Sequence, residues 1–339
     1  MSATTQPTFA LRGCAPWMLR TSYNVGNEEL RKLFSTFLEQ EATRGASEGA
    51  AGGATEEAVA ALLGKMAELH DTQWSRYLHN IIDKRFACPH ACRYCYMQAF
   101  RTRVWKISDP TSVADVEDAA DLLNSRSNKG WARVRDDSRR HVIMFPTSHD
   151  IIPQVLPAYI AQATKMMDAG HAVLVVSKPH LDVMTGLADA FERGYKDRVI
   201  FRLTIGSTDP AVLAFWEPGA PTFAERLAAL RMLHERGFVT SVSVEPYLSD
   251  PRLVVAAVGP FVSETIWIGP MSGFLKGQGG AERREQEAAW LSSPAGAGKA
   301  PMAELMSVNF VRSFVMSLAS HPKVYWKTAV MKMLIEGRR

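Results

Sequence analysis

Three of the chain's four cysteines lie close together in the stretch FACPHACRYCYMQAF, residues 86–100. They are Cys88, Cys92 and Cys95, and the fourth, Cys14, stands far upstream and alone. Clustered thiolates bind soft metals, either tetrahedral zinc or the iron of an iron–sulfur cluster. Cysteines distributed in this way do not form a disulfide framework, so we interpret the stretch as a metal or redox centre in a reducing compartment.

The number of cysteines helps to decide between a zinc site and an iron–sulfur cluster. A structural zinc ion normally takes four protein ligands, and no second pair of cysteines follows downstream. The nearest histidines are His79 and His90, and a zinc site with His90 would require adjacent ligands in a short loop to converge on one ion. A [4Fe–4S] cluster normally takes four cysteines, so three leave one iron open for an exogenous ligand. The spacing C-x3-C-x2-C therefore favours the cluster, with zinc as the alternative.

The motif Cys88-Pro-His-Ala-Cys92-Arg-Tyr94-Cys95 resembles the signature of the radical S-adenosylmethionine (radical SAM) enzymes, including the aromatic residue before the last cysteine. The resemblance covers about residues 81 to 330 and is closest to the spore photoproduct lyase-like branch. Two further stretches resemble that branch, Val176-Ser-Lys-Pro and FWEPGAPTFAERL from Phe215. The resemblance implies a partial (β/α)6 barrel of the TIM type, a [4Fe–4S] cluster on the three cysteines, and S-adenosylmethionine as second cofactor.

The chemistry implied by this resemblance is radical generation. In the family, the amino and carboxylate groups of S-adenosylmethionine chelate the open iron. An electron from the reduced cluster then cleaves a carbon–sulfur bond and yields methionine and a 5′-deoxyadenosyl radical, which abstracts a hydrogen atom from the substrate. An electron donor such as flavodoxin or ferredoxin is therefore an expected partner. The sequence leaves the substrate open between a small molecule, a peptide and a nucleic acid.

The resemblance also assigns cofactor contacts residue by residue. Lys178 would meet the cofactor's carboxylate, Ser207 its methionyl or ribose part, and Tyr94 its adenine. Thr147 and Ser148, after the second predicted strand, would accept hydrogen bonds from the methionyl amine. The structural alternatives are a solvated lysine at a strand end, a serine that caps the following turn, and a tyrosine packed in the core.

Further polar residues at predicted strand ends complete the candidate set. Asp150 anchors either the methionyl amine or its own loop, and we interpret His149 as a hydrogen-bonded scaffold residue rather than an acid or base. Alternation along a strand puts Ser243 and Glu245 on one face. If that face looks into a barrel, Glu245 is a buried carboxylate that needs a function or a partner, and we predict Arg202 as the partner.

Two later positions carry weaker signals. Gly269, in the stretch WIGPMSG, would allow the backbone to approach the adenosine closely, and Lys327 would lie over the barrel mouth. Tyr325 and Trp326 are interpreted as core residues rather than as a platform for substrate stacking.

The elements that position these residues alternate between strand and helix patterns. Each predicted strand but the last is followed by a helical pattern, which implies a parallel sheet of roughly six strands with helices outside. The strands are predicted at about residues 81–87, 142–145, 172–176, 199–205, 239–245 and 265–268.

The clearest helix is predicted over residues 223–236, where Thr222 and Glu225 form a capping box and Gly237 ends the helix. Further helices are predicted at residues 27–42, 55–70, 155–169 and 181–193.

Four regions follow from this pattern. Residues 1–80 form an N-terminal helical extension with a low-complexity Ala/Gly linker, and residues 81–330 form the barrel. Residues 274–301 interrupt the alternation as a lid or a surface insertion. Residues 331–339 form a basic C-terminal tail. The last stretch of the chain, HPKVYWKTAVMKMLIEGRR from residue 321, has five Lys/Arg against one Glu and so accounts for the net charge of +4.

Composition limits the remaining classes. No apolar run resembles a signal peptide or a membrane span, so we predict a soluble cytoplasmic protein without a membrane partner. A non-catalytic iron–sulfur or zinc module that binds nucleic acid through basic residues is the rival class. Repair of nucleic acid in the manner of the spore photoproduct branch is disfavoured, because that chemistry is thought to use an additional barrel cysteine and only Cys14 remains.

Overall fold

A parallel sheet of seven strands organises the described part of the chain. The computed structural model describes residues 75–78, 88–98, 106, 141–146, 149–274 and 279–336. Strand order follows the sequence, and each strand pairs in parallel with the next. The strands are β1 (Ser75–Leu78), β2 (His141–Phe145), β3 (Ala172–Ser177), β4 (Val199–Thr204), β5 (Val239–Val244), β6 (Ile266–Ile268) and β7 (Val324–Trp326).

Helices connect successive strands from β2 onward. A parallel pair needs such a crossover connection, since a tight turn cannot bring the chain back to the start of the next strand. The α-helices are α1 (Leu156–Asp168), α2 (Leu181–Phe191), α3 (Pro210–Trp216), α4 (Phe223–Glu235), α5 (Pro251–Val258), α6 (Gly280–Leu291), α7 (Met302–Leu305), α8 (Val308–Ser317) and α9 (Thr328–Glu336).

The predicted α/β class with a parallel sheet is confirmed, and the sheet is wider than expected. The predicted strands from residue 142 to residue 268 correspond to β2 through β6. β7 was not predicted, and two of its three residues, Tyr325 and Trp326, were interpreted only as core residues. β1 precedes the expected barrel boundary at residue 80. The predicted strand at 81–87 and the predicted helices at 27–42 and 55–70 lie outside the described residues.

The two faces of the sheet differ in chemistry. One face carries apolar side chains that pack with the helices in a single core, among them Val175 on β3, Phe201 on β4 and Val242 on β5. Each fully buried side chain of this kind contributes about 1.5 to 3 kcal/mol. On the opposite face β4 and β5 place polar groups, including the buried Arg202 and Ser243. This second face is the one that carries the candidate site.

Helix α4 lies within one residue of its predicted boundaries, and it buries one residue that was not expected in the core. The Thr222 hydroxyl accepts a hydrogen bond from the Glu225 backbone N–H at 3.2 Å, and Gly237 has a positive φ of 72° beyond the helix end. Leu230 and Leu233 are fully buried, as the apolar stripe requires. Arg226 lies on the same stripe and is also fully buried.

The regions predicted as lid and tail pack against the body where they are described. Trp290 of α6 stacks on Phe215 with ring centroids 4.5 Å apart, so this part of the 274–301 insertion is an ordered helix. The predicted basic tail begins inside α9, where Met331 and Leu334 are buried. Within the described part of the chain, no helix combines the length and apolar character needed to cross a membrane.

Candidate functional site

A cavity of about 600 Å³ opens at the carboxyl-terminal edge of the sheet. Its size falls within the usual range of ligand-binding pockets, and this edge is where parallel α/β folds place their sites. All three clustered cysteines line it. The strand ends contribute Met144, Pro146, Val176, Lys178, Thr204, Ser243, Glu245 and Pro246.

The cysteine loop presents free thiols to this cavity. Cys92 is buried, Cys88 and Cys95 are partly exposed, and the Cys95 backbone N–H donates to the Cys92 carbonyl at 3.0 Å. Burial raises the pKa of the Cys92 thiol well above its usual value and also raises that of Cys95. Both thiols are therefore protonated at neutral pH unless a metal ion displaces the protons.

Asp150 is the centre of a charged network beside the loop. Its Oδ2 accepts from His90 Nδ1 at 2.9 Å and from Lys178 Nζ at 3.1 Å, and its Oδ1 accepts from the Lys178 backbone N–H at 2.7 Å. Burial alone would raise the pKa of Asp150, but the charges of Lys178 and His90 outweigh it and lower the pKa well below its usual value. Asp150 is thus ionised and anchors its own loop, one of the two predicted roles.

His90 connects this carboxylate to the surface. Its second ring nitrogen, Nε2, lies 2.8 Å from Nε2 of His180. Burial would lower the pKa of His90, but the Asp150 carboxylate outweighs it and the pKa rises to about 9. Burial and the charge of His90 lower the pKa of His180, so the neutral His180 accepts while His90 donates to both partners. Both ring nitrogens of His90 therefore have hydrogen-bond partners, Asp150 and His180, and ligand atoms of His90, Asp150 and Cys88 lie within 4.8 Å of one another.

Lys178 is held in the cavity wall rather than solvated. Its side chain is 12% exposed, and its ammonium pairs with Asp150 and lies 5.8 Å from the centre of the Tyr94 ring. Burial would lower the pKa of Lys178, but Asp150 and other nearby acidic groups outweigh it and raise the pKa well above its usual value. An ammonium has three N–H donors, so the single contact with the Asp150 side chain leaves donors for a ligand in the cavity.

Tyr94 places its ring in the cavity wall and its hydroxyl in the interior. The hydroxyl donates to the Glu217 carboxylate, and Glu217 in turn pairs with Arg226 at 2.5 Å. Burial and the neighbouring Glu217 charge raise the pKa of Tyr94 well above its usual value, so the phenol stays protonated. The ring is available for contact with a ligand, whereas the hydroxyl is already hydrogen-bonded to Glu217.

Glu245 lies on the opposite wall and pairs with Lys327 at 2.8 Å, not with the predicted partner Arg202. Strand register gives the reason. Arg202 is level with Ser241 and donates from Nε to its hydroxyl at 3.0 Å. Val244, Ile268 and Trp326 are aligned across β5, β6 and β7, so the residues that follow them, Glu245, Gly269 and Lys327, meet at the next level.

Gly269 makes room for this ion pair. A Cβ at that position would lie 2.8 Å from Glu245 Oε1 and 2.8 Å from Lys327 Cγ. In the structure these two side chains fill the space beside Gly269, and the predicted approach of its backbone to the adenosine stays a prediction. Lys327 is 1% exposed, so it lies within the wall beneath the predicted mouth position.

The remaining predicted residues separate into structural and undescribed positions. Ser207 is fully buried, accepts from the Asp209 backbone N–H at 3.0 Å and contacts the Ser249 hydroxyl at 2.7 Å. It therefore holds the turn, the alternative role, and is not among the residues that line the cavity. His149 donates from Nδ1 to the Asp150 carbonyl at 2.9 Å, as a scaffold residue does. Thr147, Ser148 and Cys14 lie outside the described residues.

Two groups of described residues bring ligand atoms within 4.8 Å of one another. They are Cys88 with His90 and Asp150, and His180 with Asp182 and Glu225. The second group is partly exposed, and its carboxylates already accept backbone N–H groups at the start of α2. The three cysteine sulfurs do not form such a group among the described residues, so they do not converge on a single point.

The buried pair of Glu217 and Arg226 was missed by the sequence interpretation. Both belong to the FWEPGAPTFAERL stretch, which was noted only for its resemblance. The available signal was Arg226 on the apolar stripe of α4, because an arginine at a core position requires a buried acidic partner. Arg283, which lines the cavity mouth beside Gly273, was also missed.

Comparison with known proteins gives little further information. No protein-family model matches the chain. The uncharacterized protein ORF301 of Acidianus two-tailed virus is 26% identical over 166 residues. The match covers 47% of this chain and 52% of the viral protein, so the chain spans about half the length of that relative.

Proposed function

We propose that this chain is a radical SAM enzyme whose Cys88, Cys92 and Cys95 hold a [4Fe–4S] cluster. The observation that carries the proposal is that one short loop presents all three thiols to a cavity of about 600 Å³ at the carboxyl edge of a parallel sheet. When bound, a reduced cluster supplies an electron that cleaves S-adenosylmethionine and starts hydrogen abstraction from the substrate.

A partial (β/α)6 barrel is the architecture that fits this proposal. The seven strands are parallel and lie in sequential order. Crossovers between parallel strands are right-handed as a rule, and such connections in sequential order put the helices on one face and allow the sheet to curl around the other. That other face here carries the polar residues of β4 and β5 and the cavity. In barrels of this kind, ligands bind at the carboxyl ends of the strands.

The donor set supports a cluster over a single zinc ion. Tetrahedral zinc with bonds of about 2.3 Å requires sulfur atoms roughly 4 Å apart. The described trio that includes a cysteine and brings its ligand atoms within 4.8 Å of one another is Cys88 with His90 and Asp150. A cation is disfavoured there, because His90 is protonated and the Lys178 ammonium lies 3.1 Å from the same Asp150 oxygen. Thiols spaced more widely around one loop suit a cluster with several metal atoms.

The chain's own residues would orient the second cofactor. Lys178 offers N–H donors to a carboxylate, and Asp150 holds that lysine in place. The Tyr94 ring offers an apolar surface, and Glu245, 30% exposed, offers an acceptor from the opposite wall. Thr147 and Ser148 stay predicted contacts of the methionyl amine.

The direct test is reductive cleavage of S-adenosylmethionine. Protein reconstituted with iron and sulfide without oxygen, and reduced with dithionite, is expected to form 5′-deoxyadenosine and methionine. Cys92→Ser is expected to form neither, and Cys14→Ser, which removes the cysteine outside the loop, serves as the matched control. Absence of 5′-deoxyadenosine from wild-type protein that contains the cluster would contradict the proposal.

The second candidate is a metal-bearing nucleic-acid-binding module, and the convergence of Cys88, His90 and Asp150 within 4.8 Å is the observation in its favour. Such a module predicts bound zinc, no cleavage of S-adenosylmethionine, and an affinity for DNA or RNA that falls steeply with salt. Titration with a fluorescent oligonucleotide at two salt concentrations separates it from the enzyme.

A further inference from the structure

A second segment of the chain docks directly onto the cysteine loop. We call the residues Phe215–Gly219 together with Arg226 the brace. The Arg93 backbone N–H donates to the Trp216 carbonyl at 2.9 Å, and the Gly219 N–H donates to the His90 carbonyl at 3.0 Å. Arg93 Nε donates to the Phe215 carbonyl at 2.7 Å. His90 and Arg93 lie between the cysteines in the sequence, so the brace binds the loop between its proposed metal ligands.

The contact at Gly219 is made by backbone atoms. A Cβ at Gly219 would lie 2.2 Å from the Pro89 carbonyl oxygen and 3.1 Å from His90 Cα. Neither atom belongs to a flexible side chain, so a larger residue would displace the loop itself. Glycine at this position therefore fixes how closely the two segments approach.

The brace is anchored to the sheet by a buried ion pair. Glu217 is 2% exposed and Arg226 is fully buried. Arg226 also donates to the Pro221 carbonyl at 2.8 Å and to the Thr204 carbonyl, at the end of β4, at 3.3 Å. Since the Tyr94 hydroxyl donates to Glu217, a continuous chain of contacts runs from the sheet to the cysteine loop.

We infer that the brace is a positioning device for the metal ligands: it fixes the spacing of Cys88, Cys92 and Cys95 and so controls how tightly the loop retains its cluster. This inference rests on the proposed function, because it requires that the loop hold a cluster. Hydrogen-bonded residues behind metal ligands commonly change metal affinity about 10-fold to 100-fold when they are substituted. Glu217, Gly219 and Arg226 would act through the loop, without contact to the cluster.

Two substitutions, called the brace variants, test the inference. Gly219→Ala changes the brace itself, and Tyr94→Phe removes the loop hydroxyl that donates to Glu217 of the brace. Both are compared with Gly259→Ala, where an added Cβ meets no atom within 4 Å and φ is −49°, which alanine tolerates. The reconstituted proteins are mixed with an iron chelator, and release of iron is followed with time. We expect iron release to accelerate roughly 10-fold or more for Gly219→Ala and less for Tyr94→Phe, with no change for Gly259→Ala. The electron paramagnetic resonance spectrum of the reduced cluster is expected to change in the two brace variants.

The outcomes separate this inference from the proposed function. If wild-type protein binds no iron, the proposed function fails. If wild-type protein holds a cluster and both brace variants release iron at the wild-type rate with an unchanged spectrum, the brace inference alone is overturned. Should Gly219→Ala fail to fold, as judged by the circular dichroism and melting temperature of the metal-free protein, Tyr94→Phe decides. This substitution removes one hydroxyl and leaves the ring. Faster iron release from the Tyr94→Phe protein supports the brace inference, and an unchanged rate overturns that inference.

Discussion

The two walls of the cavity differ in how firmly their residues are held. On the wall of the cysteine loop, Asp150 binds His90 and Lys178 in a network of short, buried contacts. On the opposite wall, Glu245 pairs with Lys327, and the carboxylate remains 30% exposed to the cavity. The first arrangement suits a group that must stay in one place, and the second suits an exchangeable ligand. Under the proposed function, the first wall would hold the metal ligands and the second would offer Glu245 to an exchangeable ligand, and substitutions on each wall test this division.

The largest expected effect follows from removal of a proposed metal ligand on the first wall. We expect Cys92→Ser to reduce iron from about four atoms per chain to nearly none, because two thiolates hold a cluster poorly. Iron analysis after anaerobic reconstitution and desalting measures this loss. Cys14→Ser is expected to retain the wild-type content, and equal losses in both variants would show that the loop is not the binding site.

Removal of the buried cation behind the same wall should destabilise the fold. Arg226→Met leaves Glu217 buried without its positive partner, which costs about 3 to 5 kcal/mol in the free energy of unfolding. The control is Arg231→Met on the same helix, where an exposed guanidinium lies 4.8 Å from the Phe261 ring and contributes about 0.5 to 1 kcal/mol. Urea unfolding of the metal-free proteins measures both, and similar losses would contradict a buried ion pair.

A smaller and separate effect is expected on the second wall. Gly269→Ala would force Glu245 and Lys327 apart, since the new methyl group would lie 2.8 Å from atoms of both. We expect a loss of about 1 to 3 kcal/mol in stability with an unchanged iron content, because the proposed metal ligands all lie on the cysteine loop. Iron analysis and thermal unfolding of the same preparation measure the two quantities. A parallel loss of iron would show that the walls are not independent.

The smallest expected effect is a pH dependence on the first wall. The pKa of His90 is raised to about 9 in the folded protein, against 6.5 for an ordinary histidine. The protonated imidazole therefore contributes stability that is complete below pH 6.5 and is lost as the pH rises through about 9. Between pH 6.5 and 8, below the range of the buried thiols, the free energy of unfolding should fall by up to about 1.4 kcal/mol per pH unit.

Urea unfolding of the metal-free protein at several pH values measures the slope of the free energy of unfolding against pH. His90→Gln removes the titrating group and is expected to flatten it. Identical slopes in the two proteins would show that the imidazole is not held by Asp150 as described.

How well the sequence predicts a feature of this protein depends on how far apart in the sequence the interacting residues lie. The α4 helix, its Thr222 cap and the grouping of the cysteines are local patterns, and the sequence predicts them well. The predicted partner of Glu245, Arg202, was wrong. The pairing depends on the register of β5, β6 and β7, which no local sequence pattern reveals. For Ser207 the sequence left a cofactor contact and a cap of the following turn open, and its hydrogen bond from the Asp209 backbone N–H in the structure fits the cap.

The brace likewise depends on contacts between residues far apart in the sequence, because only the tertiary fold brings Gly219 against Pro89. The resemblance of its sequence stretch did not indicate this contact. Packing of one loop on another becomes visible only when the surrounding elements are placed.

Metal and sulfide analysis of protein purified without oxygen tests the central claim most directly. The account predicts about four iron atoms and about four acid-labile sulfides per chain, with a brown chromophore that Cys92→Ser lacks. About one tightly bound zinc ion per chain, with no iron and no chromophore, would contradict it.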